Sequence, residues 1–170
     1  MFAFTPGHLP LLVSFPHAGT EIPPEIAARM TPEALQLADV DWHLPQLYAF
    51  VRAMGASTIA ARFARHVIDL NLGTADGRAC APALQAAAEA AMAAQSAYTH
   101  VSNGRFKGGH ITRHYGQPER GIHALQLEMC QSTYMDETAP FAYRADLAAQ
   151  VQPLLQRMLD AVMDARAQRA

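Results

Sequence analysis

The chain has 170 residues, of which 51% are hydrophobic and 16% are charged, and its net charge is −2. These values predict one globular domain over residues 1–170 and exclude a disordered chain. The sequence has no basic stripe, no run long enough to span a membrane and only two cysteines. We therefore expect a cytoplasmic protein with neither a nucleic-acid nor a membrane partner.

The first half of the chain alternates predicted strands with predicted helices. Residues 11–15 (LLVSF) are a short apolar run typical of a buried strand. Residues 23–38 contain two short helical turns opened by proline, and residues 42–55 carry a helical apolar stripe. Residues 57–63 (STIAARF) and 66–70 (HVIDL) predict two further strands.

The second half begins with an alanine-rich helix, predicted over residues 81–98. Residues 101–121 are polar and rich in glycine, which predicts a long loop. Residues 123–130 (HALQLEMC) predict a strand, and the apolar stripe of residues 144–168 predicts a final helix with a kink at Pro153. Strands alternating with helices indicate an α/β domain with a largely parallel sheet.

Several groups with chemical potential lie at the ends of predicted strands. His17, Asp69 with Asn71, and Glu128 all follow or end such runs. In open α/β sheets, ligands bind where loops leave the carboxyl ends of strands, so we expect these groups to converge. A neutral imidazole with one or two carboxylates suits Zn²⁺, which makes a bound water acidic.

Each of these residues also has a structural alternative. His17 can be a loop histidine bonded to backbone, and Asp41 can be the N-cap of the following helix. Arg113 with His114 can clamp an anionic substrate or can be a solvated loop arginine. Glu128 favours function, because a carboxylate inside an apolar strand costs several kcal/mol unless it is paired. Five other histidines show no metal-binding spacing and are predicted to be surface or packing residues: His43, His66, His100, His110 and His123.

Six motifs, taken in chain order, resemble the N-formylglutamate amidohydrolase family: SFPHAGTEIPPEI, DVDWHLPQLY, ARHVIDLN, NLGTADGR, NGRFKGGHITRHYG and HALQLEMCQSTYMDE. The resemblance implies hydrolysis of N-formyl-L-glutamate to formate and L-glutamate, a step of histidine degradation. It also implies a zinc ion, or another divalent metal, and a small anionic N-acyl amino acid as substrate. The implied fold is the phosphorylase/hydrolase-like three-layer αβα architecture with a largely parallel or mixed sheet, here truncated in the middle.

The resemblance further implies roles for single residues. His17 matches the first metal ligand, and Asp41 matches the carboxylate ligand, with Glu21 as its rival. Glu128 matches the general base that acts on the metal-bound water. The resemblance makes Arg113 and Asn71 contacts to the substrate.

The chain also departs from the family pattern. Leu72 stands where the family has an arginine that binds the substrate, and the middle segment with its D-A-H-S histidine is absent. The chain has a single D-L-N, residues 69–71, in which the family's first D-L-N coincides with its second, D-L-N-L-G-T-A-D-G, as if the chain were shortened at the repeat. A third metal ligand would then come from His43, His66 or His110. The alternative to a hydrolase is a non-catalytic family remnant or a partner subunit, and a homo-oligomer could cover the exposed sheet edges.

Overall fold

The computed structural model describes residues 1–72 and 79–168. Most of the second D-L-N-L-G-T-A-D-G motif, residues 73–77, lies outside the described residues. The chain divides into two compact units: unit 1, Met1–Leu70 and Cys130–Gln150; unit 2, Asn71–Met129 and Val151–Ala170. That the chain is one domain over residues 1–170 stays a prediction.

Unit 1 contains a three-stranded mixed sheet. Its strands are β1 (Phe2–Thr5), β2 (Leu12–Phe15) and β3 (Ser57–Ala61), and β3 lies between the other two. β1 pairs with β3 antiparallel, whereas β2 pairs with β3 parallel. The predictions of strands within residues 11–15 and 57–63 are therefore confirmed, and β1 is an element that the apolar pattern missed.

The two faces of this sheet differ in burial. Phe4 and Ser14 both lie opposite Ile59, so their side chains share one face. On the other face Phe15 is buried, and its ring centroid lies 5.6 Å from that of Tyr48. The first face exposes three large apolar side chains by 57%, 54% and 56%: Phe2, Phe4 and Leu12.

Three short α-helices belong to the first part of unit 1: α1 (Pro24–Ala27), α2 (Leu44–Leu47) and α3 (Phe50–Met54). The single helix predicted over residues 42–55 is thus two helices, which are interrupted after Leu47. Gly55 ends α3 as predicted, with a φ of 93° that favours glycine.

A small core forms beneath this part of unit 1. Leu37, Val40 and Ala64 are buried, with Ile22 and Trp42 packed against them. Fully burying a leucine or valine side chain contributes roughly 1.5–3 kcal/mol relative to leaving it exposed. This core therefore holds the chain on both sides of Asp41 in place.

The predicted strand at residues 66–70 is wrong. The carbonyl of Ala64 accepts the N–H groups of Val67 at 2.8 Å and Ile68 at 3.4 Å, so the chain turns instead of extending. The turn places Arg65 and Asp69 one helical turn apart, and their side chains form an ion pair of 2.8 Å. Local hydrogen bonds therefore override the apolar composition of this segment.

Unit 2 contains α4 (Pro82–Ala93), which is shorter than the helix predicted over residues 81–98. The side chain of Gln95 explains where it ends. Its amide nitrogen donates to the carbonyls of Met92 at 2.9 Å and Tyr98 at 2.8 Å, and its oxygen accepts the N–H of Tyr98 at 2.7 Å. These bonds replace the helical pattern with a turn.

Two further helices follow. α5 (His110–Tyr115) lies inside the glycine-rich segment that was predicted to be a loop, and α6 (Ala145–Ala167) confirms the final predicted helix. α6 is continuous through Pro153. Among the residues that the structure describes, no helix is both long enough and apolar enough to cross a membrane.

The predicted strand at residues 123–130 is also wrong. No partner strand pairs with this segment in the described part of the chain, and Ala124 donates a single backbone bond to Ala79 at 2.9 Å. An alternating pattern gives a strand only where a neighbouring strand completes its hydrogen bonds. The fold is therefore mixed α/β, and of the two predicted alternatives, a largely parallel or a mixed sheet, the described residues form a mixed sheet of three strands.

Candidate functional site

His17 lies in a loop that leaves β2 two residues after Phe15. The loop runs against residues 62–64, because Glu21 donates its N–H to Arg62 at 3.0 Å and accepts that of Ala64 at 2.9 Å. Gly19 permits this approach, since a Cβ atom there would lie 2.2 Å from the carbonyl oxygen of Phe63. The histidine is thus on a constrained loop at a strand end, as predicted.

Asp69 fixes the orientation of the His17 ring. Its Oδ1 lies 2.7 Å from Nε2 of His17, and its Oδ2 accepts a hydrogen bond of 2.8 Å from Arg65. The His17 and Asp69 side chains are only 13% and 16% exposed. Because a carboxylate accepts hydrogen bonds, Nε2 donates to Asp69, and Nδ1 is the ring nitrogen that faces away from this bond.

Asp41 faces that second nitrogen. Its Oδ2 lies 3.9 Å from Nδ1 of His17, and its backbone N–H donates to the carbonyl of His17 at 3.0 Å. It does not cap the next helix, because the N-cap of α2 is His43 and no side-chain bond caps it. The capping interpretation of Asp41 is therefore wrong.

The segment that carries Asp41 is held by residues 131–141 of the same unit. Gln131 donates from Nε2 to the carbonyl of Val40 at 2.8 Å, and Nε2 of His43 lies 2.7 Å from the carbonyl of Phe141. The rings of Trp42 and Phe141 stack with centroids 5.7 Å apart. These contacts on both sides of Asp41 hold the backbone that carries its side chain.

A buried tyrosine lies in the electrostatic environment of Asp41. Burial raises the pKa of Tyr134 above its usual range, and the negative charge of Asp41 raises that pKa further. Burial likewise raises the pKa of Tyr48, with Tyr134 as the smaller cause. Both phenols are therefore neutral donors near neutral pH.

Glu21, the rival ligand, is engaged elsewhere. Arg62 donates to its two carboxylate oxygens from Nε at 3.0 Å and Nη2 at 2.9 Å. This bidentate pair occupies both oxygens of Glu21. The geometry of unit 1 thus favours Asp41 over Glu21 as the partner of His17.

Asn71 caps α5 within unit 2. Its carbonyl accepts the N–H of His110 at 3.2 Å, its Oδ1 accepts that of Ile111 at 2.9 Å, and its Nδ2 donates to Gln126 at 3.0 Å. A Cβ atom at Gly109 would lie 2.3 Å from the Asn71 carbonyl oxygen, so this approach requires glycine. The observed contacts give Asn71 a structural duty, and its contact with substrate stays a prediction.

Arg113 and Glu128 also lie in unit 2. Arg113 donates from Nε to the carbonyl of Gly108 at 3.1 Å and from Nη2 to that of Lys107 at 3.0 Å. Within residues 1–72 and 79–168, no carboxylate forms an ion pair with Arg113. Glu128 is exposed rather than buried in a strand, and it accepts a hydrogen bond from Gln126. Both predicted roles stay predictions.

Sequence reasoning missed three supporting residues: Arg65, Gln126 and Gly109. Arg65 could have been found from its spacing of four residues to Asp69, which places two side chains on one turn. Gln126 and Gly109 act through contacts distant in the chain, so no local signal marks them. In the described part of the chain, no group of three or more His, Cys, Asp or Glu side chains is arranged to hold a metal ion.

The family model of N-formylglutamate amidohydrolase matches residues 9–72 and 70–135. The chain belongs to this family. The chain is 35% identical to the N-formylglutamate deformylase of Pseudomonas aeruginosa and 33% identical to that of Pseudomonas putida. Each alignment covers 96% of this chain and 96% of the relative.

A solved structure supports the same family at the level of the fold. The N-formylglutamate amidohydrolase of Ralstonia eutropha JMP134 superposes with a TM-score of 0.81 at 18% identity, and the match covers 98% of this chain and 99% of that one. The alignments to the Pseudomonas relatives extend over 255 positions, whereas this chain has 170 residues, so at least 85 positions have no counterpart here. The two matched segments of the family model overlap at residues 70–72, beside the single D-L-N of this chain at residues 69–71.

Proposed function

We propose that this chain is a metal-dependent hydrolase that converts N-formyl-L-glutamate and water to formate and L-glutamate, a step of histidine degradation. Membership of the N-formylglutamate amidohydrolase family supports the reaction. The observation that carries the proposal is the His17–Asp69 pair, since Asp69 holds Nε2 and turns Nδ1 toward Asp41. A carboxylate behind a histidine is the usual arrangement around a metal ligand.

The imidazole of His17 and the carboxylate of Asp41 are donor types that zinc binds, but they supply only two of its four ligands. Zinc binds nitrogen and oxygen donors at about 2.0–2.2 Å, so two such donors lie about 3.3 Å apart in a tetrahedral site. Nδ1 of His17 and Oδ2 of Asp41 are 3.9 Å apart, and a small rotation of the half-exposed Asp41 side chain would close this gap. We propose His17 and Asp41 as the protein ligands, with Zn²⁺ preferred over other divalent metals.

When bound, a zinc ion supplies Lewis acidity, which lowers the pKa of a water and polarises a carbonyl. The chain's own residues then have separate tasks. Asp69 keeps the proton on Nε2 of His17, and the backbone bond from Asp41 to His17 holds the two ligand-bearing segments together. Glu128 as the general base, and Arg113 and Asn71 as contacts to substrate carboxylates, are proposals that come from the family resemblance.

The remaining proposals concern the fold and the partners. We propose the three-layer αβα architecture for one domain over residues 1–170, shortened in the middle, in a cytoplasmic protein. A small anionic N-acyl amino acid is the proposed partner, with no nucleic acid and no membrane. The exposed side chains of Phe2, Phe4 and Leu12 support a homo-oligomer that covers the sheet.

The test is formate release from N-formyl-L-glutamate by purified protein, with bound zinc measured by elemental analysis. We expect H17A to abolish activity and to lower the bound zinc, and D41N to lower both. E21Q is the matched control, because Glu21 is a carboxylate near the same loop that is already bound by Arg62. Wild-type protein that binds no metal and releases no formate would refute the proposal.

A non-catalytic family remnant or partner subunit is the second candidate. Two observations favour it. At least 85 aligned positions of the Pseudomonas relatives have no counterpart among the 170 residues of this chain, and the described residues contain no metal-binding group of three side chains. Two protein ligands bind zinc more weakly than three. Hydrolysis by the wild type that H17A abolishes would exclude this candidate.

A further inference from the structure

Two histidines of α5 lie side by side on the surface of unit 2. His110 and His114 are four residues apart, which places their side chains on one face of a helix. Their ring centroids are 4.8 Å apart and their planes differ by 18°, and both residues are exposed. The two imidazoles are thus neighbours that solvent can reach.

The backbone that carries this pair is fixed at both ends. At its start, Asn71 accepts the N–H groups of His110 at 3.2 Å and Ile111 at 2.9 Å. At its end, Gly116 donates to the carbonyl of Thr112 at 3.0 Å. A ligand that binds both rings therefore needs only side-chain rotation, which limits the entropy lost on binding.

We propose that His110 and His114 form a chelating site for a divalent transition-metal ion, separate from the pair His17 and Asp41. Imidazole nitrogens bind Zn²⁺, Ni²⁺ and Cu²⁺, and two histidines four residues apart on a helix are an established zinc-binding arrangement. Rotation about the side-chain bonds turns one nitrogen of each ring toward a shared ion at about 2.0–2.1 Å. Among the described residues no third His, Cys, Asp or Glu joins the pair, so within this part of the chain water would fill the remaining coordination positions.

The charge around the pair determines the strength of the site. Arg113 lies between the two histidines in sequence, but its guanidinium is directed to the carbonyls of Gly108 and Lys107. In the described part of the chain the site therefore has two imidazole ligands and no carboxylate to offset this nearby positive charge. We expect moderate affinity, rapid exchange, and tighter binding of Cu²⁺ than of Zn²⁺.

The experiment is calorimetric titration of the full chain with CuCl₂ and with ZnCl₂, carried out on an H17A background that removes the other proposed metal ligand. H110A and H114A should each weaken binding at least about tenfold, and the double variant should be no weaker than either, because one imidazole alone does not chelate. H100A is the matched control, since His100 is also an exposed histidine of unit 2, and its affinity should stay within about twofold of the background.

A second comparison tests the spacing of the pair. The variant H114A with Y115H keeps the number of histidines but moves one of them to the fifth position, off the shared face, and should not regain affinity. Circular dichroism checks that each variant is folded. The proposal is overturned if H110A or H114A binds the metal as tightly as the H17A background does. It is also overturned if the variant that combines H114A with Y115H regains full affinity. If H17A alone loses one of the metal-binding events seen in the wild type, that result tests the proposed hydrolase site and does not test the site at His110 and His114.

Discussion

Replacing Asp69 by asparagine tests whether this residue orients a metal ligand. Asp69 accepts hydrogen bonds from His17 at 2.7 Å and from Arg65 at 2.8 Å through different oxygens. Asparagine has the same shape but only one accepting oxygen, so its amide N–H₂ must face one of the two donors. D69N therefore leaves either the His17 N–H or the Arg65 N–H opposed by another donor.

The expected magnitude follows from this contact. A hydrogen bond to a charged group contributes about 1.5–3 kcal/mol, and His17 is only 13% exposed, so little water replaces the lost partner. Removing a carboxylate behind a metal-binding histidine lowers metal affinity about 10- to 100-fold, which is about 1.4–2.7 kcal/mol. The two estimates agree, and we expect a loss of Zn²⁺ affinity in this range.

The assay is competition for Zn²⁺ with a chromophoric chelator, in a chain that also carries H114A so that the α5 pair does not contribute. E21Q is the matched control, because it neutralises a carboxylate that an arginine binds in the same unit but that is 48% exposed. E21Q should change Zn²⁺ affinity by less than about twofold. If D69N and E21Q bind zinc equally well while both remain folded by circular dichroism, Asp69 does not orient His17 for a metal.

Three other predictions concern stability and association. G109A should lower the free energy of unfolding in urea by about 1–3 kcal/mol, because its Cβ would lie 2.3 Å from the Asn71 carbonyl oxygen. G104A should cost less, because a Cβ there would meet only the exposed Val101 side chain, at 3.1 Å, and equal losses would contradict this reasoning. The raised pKa of Tyr134 makes the unfolded chain lose that proton first, so the contribution of Tyr134 to stability should be constant below pH about 10 and fall above it by up to about 1.4 kcal/mol per pH unit. The raised pKa of Tyr48 adds a slope in the same direction, so Y134F should reduce the fall in stability without abolishing it. F4K places a charge on the exposed face of the sheet, at a side chain that is 54% exposed, and should lower the average mass measured by sedimentation equilibrium. It should cost less than about 0.5 kcal/mol of folding stability. An unchanged mass would count against association through the sheet.

The parts of the fold that follow from local chemistry could be predicted. The run at residues 11–15 gave β2, the run at 57–63 gave β3, and Gly55 ended α3 with a positive φ. His17 was expected just beyond a strand, and it lies there. These features depend on residues close in sequence, which a pattern can report.

The errors fell where distant contacts decide the structure. Residues 66–70 and 123–130 are as apolar as strands, yet one turns on the carbonyl of Ala64 and the other has no partner strand in the described residues. Glu128 was therefore predicted to be buried and is exposed. Strand formation needs a neighbour, and a single sequence does not show which neighbour is present.

The histidine pair of α5 is a different kind of omission. The spacing of His110 and His114 was present in the sequence, but the glycine-rich surroundings predicted a loop, in which that spacing has no meaning. The helix forms because Asn71 caps it from a distance of about forty positions in the chain. In the helix, the four-residue spacing places the two imidazole rings on the same face.

The division of the chain between Leu70 and Asn71 has a consequence for protein engineering. Asp69 works within unit 1, where it bonds His17 and Arg65, whereas Asn71 works within unit 2, where it caps α5. Neither set of contacts uses the peptide bond between residues 70 and 71. Peptide inserted at that bond therefore leaves these hydrogen bonds of Asp69 and Asn71 in place. We expect the bond between residues 70 and 71 to tolerate an inserted peptide better than the bonds within either set of contacts.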